Sequence, residues 1–354
     1  MQIRPRTILV TILAIIAALT FSMTAPATAL TSGDSTFSLQ VTPSPLVATI
    51  KPGTATDLTL KVRNGGIQTE YLHITPRAFS FDSQSGQVRL TDNPPADIAN
   101  WITFSQPSFA VQPGQWFTQT VHIALPQNAG FSYSFALVIS RTGNQKATQT
   151  GNTLKGSVAV FTLLNVDRPD ATRELSVANL STDHHVYGYL PATLNIRFKN
   201  LGNTIVQPFG NIFIQRHEND QTPMNTLPVN SAGSYILPDT SRTLTTAWDD
   251  GFPVYKTFTA SDGSTTRKLT WDWADLSKLR IGRYTAKLVA VYNDGHRDVP
   301  IEAETTFWVI PWKLLLVLLV VVALLGLGIW SLARVIIATV RRGKGIVVHH
   351  RKRR

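Results

Sequence analysis

The sequence predicts an all-β exported region built as two β-sandwiches in series, followed by one membrane-spanning α-helix at the C-terminus. Three observations carry that prediction. Short runs alternating apolar and polar residues, broken by Pro, Gly, Asn and Asp, fill the chain from Leu30 to Pro311, and few stretches would sustain a 3.6-residue period. Antiparallel sheets with one buried face read this way. Two such runs recur in the same order in each half of the exported region. Finally, an uncharged apolar run from Leu314 to Leu332 has 19 positions, a helix of ~28 Å at ~1.5 Å per residue, close to the ~30 Å of hydrocarbon in a bilayer.

In chain order the first element is a signal peptide, residues 1–29. Arg4 and Arg6 precede an apolar stretch from Ile8 to Leu19, and Ala27-Thr28-Ala29 supplies the small residues a signal peptidase accepts, so Leu30 would begin the mature protein. The first sandwich takes residues 30–168. In it Leu58, Leu60 and Val62 alternate with Thr59, Lys61 and Arg63 as far as Asn64-Gly65-Gly66. Pro113-Gly114 then leads into a strand from Phe117 to Ile123, and after Pro126 an aromatic-rich strand runs from Phe131 to Ile139. The polar stretch from Arg141 to Gly156 reads as a long hairpin loop, because the apolar strands beside it, Tyr133 to Ser140 and Ser157 to Val166, would pair. Arg168-Pro169-Asp170 interrupts the last strand and marks the boundary.

The second sandwich, residues 169–310, repeats this order. Leu194, Ile196 and Phe198 alternate with Asn195, Arg197 and Lys199 as far as Asn200-Leu201-Gly202-Asn203; Pro238 leads into Thr243 to Trp248; Gly282-Arg283-Tyr284 opens a strand through Leu288 to Val291. Pro113 to Tyr133 is 20 residues but Pro238 to Tyr284 is 46, so an insertion at about 249–281 separates two late strands of the second unit. Two similar units of about seven or eight short strands each fit immunoglobulin-like sandwiches.

The transmembrane helix is assigned to residues 311–333. Pro311 ends the preceding strand, Trp312 and Trp330 stand at the two ends of the run where indoles favour the head-group layer, and Lys313 and Arg334 flank it. Residues 334–354 form a basic tail with eight Lys and Arg, against Lys313 alone near the other flank. By the positive-inside bias the C-terminus is cytoplasmic and the sandwiches are extracellular, which makes a single-pass protein of the cell membrane.

Charge and cysteine narrow the function. Of 33 Lys and Arg, two lie in the signal, one is Lys313 and eight are in the tail, leaving 22 outside to match all 22 Asp and Glu. The basic excess sets topology and holds the tail against anionic lipid, and no net field remains outside to attract nucleic acid. With no cysteine in an oxidising compartment, stability rests on apolar burial, and the composition favours a bacterial surface protein.

Signatures of chemistry are sparse. The chain has no GxSxG, HExxH, SxxK, phosphate-cradling glycine loop or DxDxDG calcium loop, and no cofactor is implied. Asp183, His184 and His185 are adjacent, and on a strand they would point to opposite faces and fail to ligate one metal. Acid pairs occur at Asp249-Asp250 and at Asp272 with Asp275, inside the insertion, where paired carboxylates would have to converge with Trp271 in one cleft to support a carbohydrate-active enzyme. The candidate ligand-binding residues are Trp271 and Trp273: on a strand they would share a face about 7 Å apart, a spacing that suits stacking on sugar rings, clamping a peptide, or docking against the neighbouring sheet. Ala274 to Leu279 looks like one short helical turn. Leu237-Pro238-Asp239-Thr240 resembles the start of a sortase signal, but Ser241 replaces its glycine and the span lies far downstream, so the chain keeps its own anchor.

The order of parts resembles a bacterial family, the surface proteins that bind WxL-domain proteins and peptidoglycan. The likeness is carried by Val41-Thr42-Pro43 with Ile50-Lys51-Pro52-Gly53, then Trp101-Ile102, Val111-Gln112-Pro113-Gly114, Ala124-Leu125-Pro126 and Pro311-Trp312 ahead of the span. It implies a non-enzymatic surface protein whose first domain contacts the cell wall and whose second presents it or holds a protein partner. The insertion is not expected from the family. A third role, an assembly factor that caps strands of other exported proteins, would need a long unpaired edge strand.

Overall fold

A computed structural model of the chain describes residues 37–81, 88–91, 98–142, 148–150, 153–216, 222–260 and 263–343. The expected signal peptide, residues 1–29, and the tail from residue 344 onward lie outside these. The first part of the described chain holds β1 (Leu39–Thr42), β2 (Leu46–Ile50), β3 (Ala55–Asn64), β4 (Glu70–Arg77), β5 (Phe79–Phe81), β6 (Val88–Leu90), β7 (Ile102–Phe104), β8 (Ser108–Val111), β9 (Trp116–Ala124), β10 (Ser132–Arg141), β11 (Thr148–Thr150), β12 (Thr153–Lys155) and β13 (Ser157–Val166). The second holds β14 (Leu175–Thr182), β15 (Val186–Tyr187), β16 (Ala192–Asn200), β17 (Phe209–Gln215), β18 (Asn225–Val229), β19 (Ser241–Trp248), β20 (Val254–Thr259), β21 (Thr265–Thr270), a 3-10 helix (Trp273–Lys278), β22 (Gly282–Asn293) and β23 (Asp298–Val309), followed by helix α1 (Trp312–Gly343).

The described chain is therefore all-β apart from that short 3-10 turn and the C-terminal helix. In the first part the sheet β1-β3-β9-β7 packs on β2-β13-β10-β4-β8; in the second β14-β16-β19 packs on β15-β23-β22-β17-β18. Alternation produces the packing: Leu60 and Val62 of β3 are buried between exposed Thr59, Lys61 and a half-buried Arg63, and Leu194, Ile196 and Phe198 of β16 do the same in the second unit. Each pair of sheets encloses one core, the first built from Leu60, Phe135, Leu137 and Ile139, the second from Phe198, Trp248, Tyr284 and Phe307. Burying side chains of this size supplies the main favourable contribution in a chain without disulfides, about 1.5–3 kcal/mol for each large aliphatic or phenyl group.

The expected repeat is visible bond by bond. Asn64 ends β3 and is buried; its Nδ2 donates to the carbonyls of Gln68 (2.6 Å) and Val111 (2.9 Å), and its Oδ1 accepts from Gly66 N–H (2.8 Å). Asn200 ends β16 and makes the same set, to Thr204 (2.8 Å) and Ile236 (3.0 Å) and from Gly202 (2.9 Å). Val111 and Ile236 each stand two residues before the proline that opens the next turn, Pro113 or Pro238. That turn needs a left-handed residue, supplied by Gly114 (φ 73°) in one unit and by Asp239 (φ 55°) in the other.

The polar stretch expected as a hairpin loop between β10 and β13 carries a small hairpin of its own, β11 with β12, while β10 and β13 pair from Ser132–Asn165 to Ser140–Ser157. Helix α1 follows Pro311 directly. Its apolar part, Trp312–Arg334, has 23 residues, of which an 18-residue stretch has mean hydropathy 2.8 and none of that stretch is buried. The helix runs on past Arg334 to Gly343, the first glycine after the span, because Ala333 to Arg342 contains no helix breaker.

Candidate binding surfaces

The insertion between β19 and β22 folds as the hairpin β20-β21 and the 3-10 helix. Trp271 and Trp273 do not share a strand face as the sequence suggested. β21 ends at Thr270, and Asp272 opens the 3-10 helix, its carboxylate accepting from Ala274 N–H (3.2 Å) and its carbonyl from Asp275 N–H (2.9 Å). The strand gives way because this local cap satisfies backbone groups that a ladder would otherwise have to pair. The two indoles still meet, ring centroids 6.1 Å apart and tilted by 35°, and both lean on buried Phe252 at 5.7 and 5.4 Å. One side is docked and the other is open: Trp271 is 44% exposed, Trp273 69% and Leu276 on the same turn 53%.

The acidic residues of the insertion hold it in place. Asp250 meets Arg280 (2.5 Å) and Lys278 (3.2 Å), and Lys278 also meets Asp275 (3.0 Å). Burial pushes the Asp250 carboxyl upward, but the hydrogen bonds from Arg280 and Lys278 outweigh it and hold the group below the usual carboxylate range. Asp249, Asp250, Asp272 and Asp275 line neither cavity described below; Asp250 and Asp275 are engaged by Lys278, and Asp272 caps the turn. Asp183, His184 and His185 lie in the bend between β14 and β15 rather than on a strand. Asp183 accepts from the Tyr187 hydroxyl and from Thr193 N–H (3.3 Å), and burial with this contact raises the Tyr187 phenol to about 12. Among the described residues no three His, Asp or Glu are grouped to hold a metal.

Beside the insertion a cavity of about 410 Å³ opens where the second sandwich meets α1, lined by Tyr189, Tyr255, Arg267, Trp312 and Lys313 together with Asp183. Tyr189 shares this cavity with Trp312 and Lys313 of the first turn of the apolar helix; burial first, then Tyr255, raises its phenol. The same ring lies 6.2 Å from Tyr255 and 6.5 Å from Trp271. Insertion, cavity and span thus form one continuous aromatic surface.

A second groove, about 230 Å³, runs between the two sandwiches, with Phe79, Phe161 and Leu163 on one wall and Tyr235, Leu237 and Arg242 on the other. The units are tied beneath it. Asn165 exchanges both of its amide bonds with the backbone of Ile205 (2.9 and 3.2 Å), Ser132 Oγ donates to the Asn203 carbonyl (3.2 Å), and Arg168 donates to the Ala129 carbonyl (2.8 Å) while pairing with Asp170. Beside the groove β2 pairs only Thr162–Val166 of β13, so the outer edge of Ser157–Val160 meets no strand among the described residues. The groove itself was not legible in the sequence, since its two walls come from segments about 70 residues or more apart in the chain.

No family model matches the chain, and no curated protein matches it. Among solved structures it is similar to the E. coli chaperone DraB, with 14% identity over 76% of this chain and 98% of that one and a TM-score of 0.33. It is similar to the Pseudomonas aeruginosa CupB2 chaperone, with 10% identity over 76% and 100% and a TM-score of 0.32. A protein of unknown function from Porphyromonas gingivalis W83 gives 15% over 75% and 99%, with a TM-score of 0.26.

Proposed function

We propose that the chain is a single-span protein of a bacterial cell membrane whose two immunoglobulin-like sandwiches stand outside the cell and bind, without catalysing a reaction, a wall polymer such as peptidoglycan or another surface protein. The observation that carries this reading is the apolar helix Trp312–Arg334, with no buried residue in its apolar stretch, joined through Pro311 to the last strand of the second sandwich. An apolar surface of that length, left uncovered by the rest of the described chain, supports burial in lipid.

The unpaired edge of β13 beside the groove favours a protein partner. An extended segment laid along Ser157–Val160 would complete the ladder and place alternate side chains against Phe79 and Tyr235. Such an edge also fits the strand-capping role. The resemblance of the Val41-Thr42-Pro43 and Pro311-Trp312 regions to proteins that bind WxL-domain partners and peptidoglycan supports the same two ligand classes.

The test uses the full chain in nanodiscs. Mixed with purified insoluble peptidoglycan and centrifuged, it co-sediments if the wall is the ligand, and complete recovery in the supernatant removes that half of the reading. A photo-crosslinking residue at Val158 should give a discrete protein adduct in cells, lost when Ala159→Pro disrupts the edge. An adduct that survives this change would show that strand addition is not the mode.

A further inference from the structure

The insertion leaves a problem that the display role does not solve. Two tryptophans and a leucine stand open to solvent on one short turn, although large exposed apolar groups in a cluster normally mark a contact. A core-docking role accounts for Phe252, which is buried, but not for the exposed halves of Trp271 and Trp273 or for Leu276.

Their position relative to the span answers it. Tyr189 lines one cavity with Trp312 and Lys313 at the start of the apolar run and contacts Trp271, so Trp271 is one ring removed from the level at which hydrocarbon begins. Head groups add about 5–8 Å on each side of the hydrocarbon, and amphipathic aromatics concentrate in that layer. Val186 and Trp308, cross-strand partners on β15 and β23 and both exposed, extend the apolar belt at this same end of the sandwich, four residues before Trp312. Two cations face the cavity between them. Arg267 lies over the Tyr255 ring (5.0 Å) and Lys313 over the Trp312 ring (5.6 Å), and neither is in an ion pair among the described residues. The one carboxylate on the cavity wall, Asp183, is engaged by Tyr187 and Thr193.

We propose that the insertion is a membrane-resting foot: Trp271, Trp273 and Leu276 enter the head-group layer of the leaflet nearest the sandwiches, and Arg267 with Lys313 receives a lipid phosphate in the cavity beside the span. The foot fixes the tilt of the second sandwich on its helix, so that the groove between the sandwiches is held at a set height above the bilayer. The proposal rests on α1 crossing the membrane, and its occupant is lipid rather than sugar or peptide.

Because the chain lacks cysteine, single-cysteine labels report one place each. Full-length Leu276→Cys, Ile67→Cys and Val320→Cys, each carrying an environment-sensitive fluorophore, are reconstituted in phosphatidylcholine vesicles with and without a minority of phosphatidylglycerol. Ile67 is 80% exposed in the far sandwich and Val320 lies within the span. A head-group nitroxide lipid should quench the label at 276 severalfold more than that at 67, and an acyl-chain nitroxide should quench the label at 320. Equal quenching at 276 and 67 with deep quenching at 320 overturns the foot alone; no deep quenching at 320 overturns the span reading and the foot with it. Phosphatidylglycerol should strengthen the contact at 276, and Arg267→Ser should lower the ratio of resting to lifted molecules by about fivefold in these vesicles. Indifference to both changes would remove the phosphate from the assignment.

Discussion

The two sandwiches share one plan and differ in what has been added to it. Strand for strand, β1, β3 and β9 of the first correspond to β14, β16 and β19 of the second, and β2-β13-β10-β4-β8 to β15-β23-β22-β17-β18, down to a parallel pairing at the same edge. Asn64 and Asn200 hold equivalent corners with equivalent bonds. The additions diverge. In the first unit they are small hairpins at the margins, β5-β6 and β11-β12; in the second they are one insertion that reaches the span. The core beneath that insertion is the more aromatic, with Trp248, Tyr284 and Phe307 packed at centroid distances of 5.0 to 6.1 Å. Arg280 links the two levels, lying over the Trp248 ring while it binds Asp250. A duplicated framework thus supplies stability in both places, and the departure from the repeat marks where the second unit acquired a separate contact.

Six substitutions would sharpen or break this comparison. Trp248→Ala empties the centre of the second core and should cost about 3–5 kcal/mol, seen as an early calorimetric transition for that unit with the first unit's transition little moved; a single joint transition would show that the junction couples the two fully. Asn200→Ala strands three buried backbone groups, and Asn64→Ala one buried and two partly buried ones; each should cost about 2–3 kcal/mol. Clearly unequal losses, measured by urea denaturation, would break the equivalence of the two corners.

Asp250→Asn should cost about 1–2 kcal/mol, because hydrogen bonds from Arg280 and Lys278 to a charged acceptor are lost in a partly buried site. The native carboxyl titrates below its unfolded value, so its contribution is present above about pH 4 and disappears as pH falls through the folded value. Hydrogen exchange of the 3-10 helix should therefore quicken below about pH 4 in the native chain, and the variant should lack that step. Smallest is the turn pair. Asp239→Gly should gain a few tenths of a kcal/mol, and Gly114→Ala should lose about 1 kcal/mol through its left-handed backbone alone, as the space around that position is open.

The repeat was legible because its carriers are local: alternation in Leu58 to Arg63 and Leu194 to Lys199 states which side chains are buried, and the Asn-Gly and Pro-Gly punctuation states where strands stop. The insertion was legible as a surplus between two matched markers. Its geometry was not. Trp271 and Trp273 read as a strand pair, yet Asp272 caps a 3-10 turn between them, a choice between two local hydrogen-bonding schemes that spacing alone leaves open. The cavity was invisible for another reason: Tyr189, Tyr255, Arg267 and Lys313 come from four separate segments, and nothing in any one of them points to the others.

By itself, then, the sequence determined the sheet-built character of the chain ahead of Pro311, its duplication and its apolar helix, because each is written in the periodic exposure of neighbouring residues to water. Only the tertiary structure decided which surfaces became contiguous: the groove above β13 and the aromatic face on which Tyr189 joins Trp271 to the start of the helix. The physical reason is that burial acts along every strand as it forms, whereas a binding surface exists only after distant strands have closed around a core and left particular side chains outside it.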